Sequence, residues 1–196
     1  MDNTASTSSS HQILAFVGMP GAGKSEAIAY IERKGIPFLR FGQITDEGVQ
    51  ALGLPLIPEN ERKVREQLRE ELGMAAYAIK SKPKLDALLK DHEVIAVDGL
   101  YSWEEYTYLK KDFPNLILID IYAEPQVRYA RLAKRPIRPV PVEKSRVRDI
   151  AEIEKLNKGG PIAIADHLLE NNGEHIEELY QKIDILFERL HIKTND

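Results

Sequence analysis

Apolar residues in this chain fall into short unbroken blocks separated by longer stretches in which they recur every three or four positions. Ile13-Leu14-Ala15-Phe16-Val17, Ile36-Pro37-Phe38-Leu39-Arg40, Val94-Ile95-Ala96-Val97-Asp98 and Leu116 to Tyr122 are the blocks, and Asp166 to Asn171 is a shorter last one turned by Asn172-Gly173. Runs of this length with little alternation are the mark of strands buried on both faces of a parallel sheet. Between them the spacing is helical. Glu26 to Lys34 ends at Gly35, Ile44 to Leu52 is short, and Glu59 to about Lys80 carries Val64, Leu68, Leu72, Ala76 and Ile79 on one stripe that Gly73 interrupts. Pro83 to Lys90 reads as a separate helix. Ser102-Trp103-Glu104-Glu105 is a capping box that opens a helix to about Asp112, and Pro125 opens one over Gln126 to Lys134. Val142 to about Lys155 is helical, Asn157 to Pro161 is a breaker, and Ile176, Leu179, Ile183, Leu186 and Leu190 form the core stripe of a last helix. Strand and helix in alternation predict an α/β fold in three layers, with a five-stranded parallel sheet covered on both sides. Two segments exceed what crossovers need: a helical insert at about 42–90 and an arginine- and proline-rich stretch at about 135–150.

The first strand and the first helix are joined by Gly18-Met19-Pro20-Gly21-Ala22-Gly23-Lys24-Ser25, which fits G-x-x-x-x-G-K-[ST] at every fixed position. Such a P-loop surrounds phosphate oxygens with backbone N–H groups, and the helix that follows, opening near Gly23 with Glu26 in its first turn, points its positive end at the anion. Glycines there tolerate positive φ and leave room for close approach. Lys24 would reach the β- and γ-phosphates and Ser25 Oγ would ligate Mg²⁺. The pattern and both flanks predict a P-loop NTPase fold that binds a nucleoside triphosphate.

A P-loop needs an acidic partner for the metal shell, and Asp98, at the end of the third strand, is the candidate; Asp98-Gly99 is also a strong turn signal in its own right. Asp120 competes with it but sits within its apolar run. Arg40-Phe41-Gly42-Gln43 lies at the C-terminal end of the second strand, the edge where open α/β sheets bind ligands. Arg62, Arg65 and Arg69 share a helix side, either as a solvated face paired with Glu61, Glu66 and Glu70 or as contacts for an acceptor phosphate. Arg128, Arg131 and Arg135 recur at i, i+3 and i+7, and Arg138, Arg146 and Arg148 follow. Arginine suits bidentate phosphate contact, so this cluster is either a basic solvated face or a phosphate clamp.

Composition narrows the classes. With 31 acidic residues against 27 basic ones the net charge is −4, which argues against broad nucleic-acid or membrane-surface binding and makes any anion site local. No cysteine is present, so disulfides, thiolate metal sites and cysteine nucleophiles are excluded. Met1 to Ser10 is polar and Ser/Thr-rich, without the basic start and apolar segment of a signal peptide; a disordered lead, one domain over 11–193 and a cytoplasmic location are expected. Monomer and homodimer are both open.

The order of the P-loop, the Val97-Asp98-Gly99 strand end, the Arg128-x-x-Arg131-x-x-x-Arg135 helix and the closing Ala165-Asp166-x-x-x-x-Asn171-x-Gly173 resembles the nucleoside monophosphate kinase superfamily. Within it the likeness is strongest to dephospho-CoA kinase and its uncharacterised adenylate-kinase-like relatives, over roughly residues 12–190. The resemblance implies an acceptor-binding insert after the second strand and an arginine-rich lid closing over ATP. Gly18 to Glu26 would hold ATP, Ser25 and Asp98 would hold Mg²⁺, and Lys24, Arg128, Arg131, Arg135 and Arg138 would stabilise the transferring phosphoryl. Arg40, Gln43, Arg62, Arg65, Arg69 and Gly99 would meet a small phosphorylated acceptor. Many members place an aspartate just after the second strand, where this chain has Gln43, with Asp46 a turn later; that favours a monophosphate acceptor, dephospho-CoA remaining possible. The competing class is a nucleotide-dependent regulatory ATPase that reports its state to a protein partner.

Overall fold

The computed structural model describes residues 11–195. The polar lead at Met1 to Ser10 lies outside the described residues. β1 (Gln12–Val17), β2 (Phe38–Arg40), β3 (Val94–Asp98), β4 (Leu116–Tyr122) and β5 (His167–Glu170) form one sheet in the order β2-β3-β1-β4-β5, with every pairing parallel. The P-loop strand is therefore central. Its side chains alternate between two cores: Ile13, Ala15 and Val17 pack on one face, Leu14 and Phe16 on the other. Both faces are covered, which is why the strands read as unbroken apolar blocks.

On the first face lie α4 (Ala76–Leu88) and α5 (Trp103–Asp112), burying Ala76, Leu85 and Leu109. On the second lie α1 (Lys24–Arg33) and α9 (Glu177–Arg189), burying Ile28, Ile31, Leu179 and Ile183. α2 (Gln43–Ala51) and α3 (Pro58–Leu72) belong to the insert. α6 (Pro125–Ala133) and α7 (Val142–Leu156) flank the arginine-rich segment, and α8 (Gly159–Ala163) leads into β5. The expected capping box is present: Ser102 Oγ accepts from Glu105 N at 3.0 Å, and Glu105 Oε2 accepts from Ser102 N at 3.1 Å.

Two helix boundaries differ from the sequence reading. The helix expected over Glu59 to Lys80 stops at Leu72, because Gly73 turns with φ 72° and a single 3-10 turn, Gly73–Ala75, redirects the chain. α4 then runs through Pro83 without a new start. Pro83 is exposed, while Tyr77, Ala78 and Leu85 are buried and hold the helix together across it. The stretch read as a breaker contains α8. Asn157 ends α7 in the left-handed conformation (φ 50°), and Pro161 falls in the first turn of the new helix, where it lacks nothing a helix needs.

Candidate active site

β1 ends at Val17 and α1 begins at Lys24, so six residues carry the chain from strand to helix beside the end of β4. Gly18 takes φ 132° and Gly23 φ 113°, conformations that other residues enter only with strain. A Cβ on Gly18 would stand 2.4 Å from the Ile121 carbonyl oxygen, and one on Gly23 would stand 2.3 Å from Asn171 Nδ2. The glycines are thus required on the protein's side of the loop, beyond any need to admit a ligand.

Several carbonyls of the loop are tied back. Lys24 Nζ donates to Gly18 O at 2.7 Å and Met19 O at 3.2 Å, Arg128 Nη1 to Pro20 O at 3.0 Å, and Asn171 Nδ2 to Ala22 O at 2.7 Å. Donors on those oxygens neutralise the negative ends of peptide dipoles that an anion would otherwise meet. α1 has no side-chain cap, so its first N–H groups keep their capacity for an anion at the loop. Burial lowers the Lys24 pKa to about 7; Lys158 lowers it further, and Asp98, Glu152 and Asp120 act the other way.

Two carboxylates flank the end of β1. Asp98 pairs in register with Phe16 on one side, and Asp120 pairs with Val17 on the other. Burial raises the Asp98 pKa against the pull of Lys24, Arg40 and Lys158. Asp120 is 4% exposed, its Oδ1 has no hydrogen-bond partner among the described residues, and burial pushes its pKa up to about 6. Sequence position alone puts Asp120 inside its strand. The structure puts it level with the loop, because β4 outruns β1 by two residues.

In front of the loop lies a cavity of about 780 Å³. Pro20, Gly21, Gly23, Lys24, Ser25 and Glu26 line it, with Asp98 and Gly99 of the third strand end. Of the expected arginines, Arg40, Arg65, Arg69, Arg131, Arg135 and Arg138 also reach it, as does Arg148. Nine lysines and arginines line the cavity against five carboxylates. The chain as a whole carries −4, so positive charge is concentrated at this one place.

Other expected residues stand elsewhere. Arg62 is exposed and pairs with Glu66 at 3.9 Å, the solvated-face alternative. Gln43 donates to Glu47 at 3.0 Å on an exposed surface, and Arg146 is exposed outside the cavity lining. Arg128 is buried. Its guanidinium holds both carboxylate oxygens of Asp149, at 3.1 and 2.7 Å, together with the Ala123 and Pro20 carbonyls. It joins α6, α7 and the P-loop, and has little left for a ligand. Arg131 lines the cavity while donating to Asn171 O at 2.8 Å and Gly173 O at 3.0 Å. Gly18, Met19 and Ala22 shape the loop from behind.

The cavity also takes in residues that no motif flagged. Glu61 of α3 accepts Arg138 at 2.7 and 3.2 Å and Arg65 at 3.4 Å, linking α3 to the segment between α6 and α7. Thr45 and Tyr77 share a 2.6 Å hydrogen bond, with the Arg69 guanidinium 5.5 Å from the Tyr77 ring centroid. Tyr101, Glu152 and Lys158 also line the cavity. For Asn171, the closing Asn-x-Gly was a visible signal; for Lys158, hidden beside a Gly-Gly-Pro breaker, there was none.

A family profile described as AAA domain matches residues 14–151. The UPF0200 protein of Thermococcus sibiricus is 38% identical over 185 residues, covering 92% of this chain and 96% of that protein. The chain belongs to this AAA-domain, UPF0200 family. A further member, from Methanocaldococcus jannaschii, is 34% identical over 91% of this chain and 90% of its own length. Among solved structures, a putative kinase from Chloroflexus aurantiacus superposes with a TM-score of 0.62 at 17% identity, covering 95% of this chain and 100% of that one. A shikimate kinase from Bacteroides thetaiotaomicron does so with 0.57 at 17% identity, covering 92% and 98%. At such identities the likeness is one of fold, and the fold is that of P-loop kinases. No helix among the described residues is long and apolar enough to cross a membrane.

Proposed function

We propose that this chain is a small-molecule kinase that moves the γ-phosphoryl of ATP to a small phosphorylated acceptor, a nucleoside monophosphate before dephospho-CoA. The observation that carries this is the single cavity running from the P-loop to the arginines of α3 and the lid segment. An ATPase needs a phosphate site alone; here further arginines, Arg40, Arg65 and Arg69, line the same cavity. Structures of the same fold bearing the names shikimate kinase and gluconokinase support the kinase reading.

In this reading Gly21 to Glu26 cradle the β- and γ-phosphates, and Lys24 and the lid arginines Arg131, Arg135 and Arg138 spread over the charge that develops on the transferring group. Arg128 acts by positioning the loop. The donor set fits Mg²⁺: the Ser25 hydroxyl and Asp98 carboxylate are hard oxygen ligands in one cavity, and the unpartnered Asp120 Oδ1 lies 3.0 Å from where a Gly18 Cβ would stand. Among the described residues no three His, Cys, Asp or Glu side chains cluster to hold a metal, so water and phosphate oxygens would complete the shell. When bound, the ion held by Ser25 and Asp98 would neutralise negative charge on the phosphates. Arg40 pairs with Asp46 at the acceptor wall; a phosphate acceptor would replace that carboxylate.

ADP release from ATP with Mg²⁺ is to be measured against nucleoside monophosphates, dephospho-CoA, shikimate and gluconate, with Lys24→Ala as control. Strong stimulation by a phosphorylated acceptor, lost in the control, is the expected result. Stimulation by shikimate or gluconate alone would overturn the acceptor class. Slow release indifferent to every acceptor would overturn the kinase reading.

A further inference from the structure

The cavity contains a second buried lysine. Lys158 is 3% exposed, and its Nζ lies 4.4 Å from the Tyr101 ring centroid. The same Nζ donates to Glu152 of α7, whose other oxygen takes Arg148 at 3.2 Å. The turn that carries Lys158 is fastened to the start of α5. Asn157 donates to Glu104 Oε1 at 2.8 Å and accepts from Trp103 N at 3.3 Å, and a Cβ on Gly160 would stand 2.8 Å from the Trp103 ring. Lys158 is thus fixed to the start of α5, while the carboxylate that neutralises it belongs to α7.

Lys24, half-buried, and Lys158, buried, line one cavity, and each repels the charge of the other. Turning two ammonium groups toward one partly dry space is unfavourable unless an anion comes between them. Glu152 supplies one negative charge on the Lys158 side only. A terminal phosphoryl would satisfy both.

We propose that Lys158 is a second phosphate-binding lysine, contacting the terminal phosphoryl of a nucleoside triphosphate opposite Lys24, with Glu152 holding its ammonium until that phosphoryl arrives. Lys158 then distinguishes triphosphate from diphosphate, which the P-loop backbone does not do by itself. The proposal rests on the nucleotide reading given above. A plain structural ion pair would instead affect stability and leave the choice between nucleotides alone.

The test is calorimetric titration of the full chain with ADP and with the non-hydrolysable triphosphate AMP-PNP, both with Mg²⁺. Lys158→Met should lose at least about tenfold in AMP-PNP affinity, the effect of one charge-assisted hydrogen bond, with ADP affinity held within about twofold. Lys158→Arg should recover part of the loss. Equal effects on both nucleotides, or none, would overturn the proposal while leaving nucleotide binding intact. If Lys158→Met does not fold, Glu152→Gln decides. A released lysine must raise the AMP-PNP to ADP affinity ratio by about twofold or more, and an unchanged ratio overturns the idea. A wild-type chain that binds neither nucleotide overturns the nucleotide reading, and this inference with it.

Discussion

With its pKa lowered to about 7, Lys24 is largely neutral at pH 8 in the free protein. A polyphosphate beside it favours the ammonium and raises that pKa again. Nucleotide binding at pH 8 should therefore take up about one proton, whereas at pH 6, where Lys24 is already charged, uptake should vanish. Calorimetry at each pH in buffers of different ionisation enthalpy reads this directly, and Lys24→Met should abolish the pH 8 uptake. The opposite sign, release of a proton at pH 8, would mean that Lys24 does not meet the phosphates. Lys24 itself was legible from the motif. Its lowered pKa was not, because burial and the ammonium of the distant Lys158 arise only when the chain is packed.

Among elements, α6 and α7 are locked together by the Arg128–Asp149 pair, with side chains 6% and 11% exposed. Removing one partner of a buried pair leaves an uncompensated charge, at a cost of about 3–5 kcal/mol. Arg128→Met should lower unfolding free energy by that amount in denaturant titrations, and the double variant Arg128→Met/Asp149→Leu should recover most of it. A loss below about 1 kcal/mol would remove the bracing role. The sequence placed Arg128 and Arg131 on one helix, and helical periodicity carries that much, while Arg135, expected on the same face, lies beyond the end of α6 at Ala133. Periodicity is silent about which arginine on a face turns inward, and only Asp149, on a different helix, decides it. α3 repeats the lesson: Arg62, Arg65 and Arg69 share a side, yet Arg65 and Arg69 line the cavity while Arg62 remains on the surface.

For the whole molecule, α3 and the segment joining α6 to α7, two covers of the cavity, meet through Glu61 and Arg138, 77 residues apart in sequence. Arg138 keeps 62% of its side chain exposed, so the pair adds at most about 1 kcal/mol to stability. Its effect belongs to motion. Arg138→Ala should leave the unfolding midpoint nearly unchanged while speeding hydrogen exchange in residues 135–141 and at the start of α3. Unchanged exchange would show that the two covers are held apart from this contact.

Strand number and parallel pairing followed from the sequence by itself. Each depends on local periodicity, capping or a motif whose residues are consecutive, and such signals survive without tertiary context. Gly73 against Pro83 as the helix break was a closer matter. Both disrupt helices, and the choice fell to which side of α4 is buried. Tertiary structure alone decided the make-up of the cavity wall and of what lies behind it: Asp120 drawn level with the loop by strand register, Arg128 withdrawn into a salt bridge, Glu61 paired with Arg138, and Lys158 set in one cavity with Lys24. Those are pairings between groups far apart in the chain, set by packing in three dimensions, and no one-dimensional pattern encodes them.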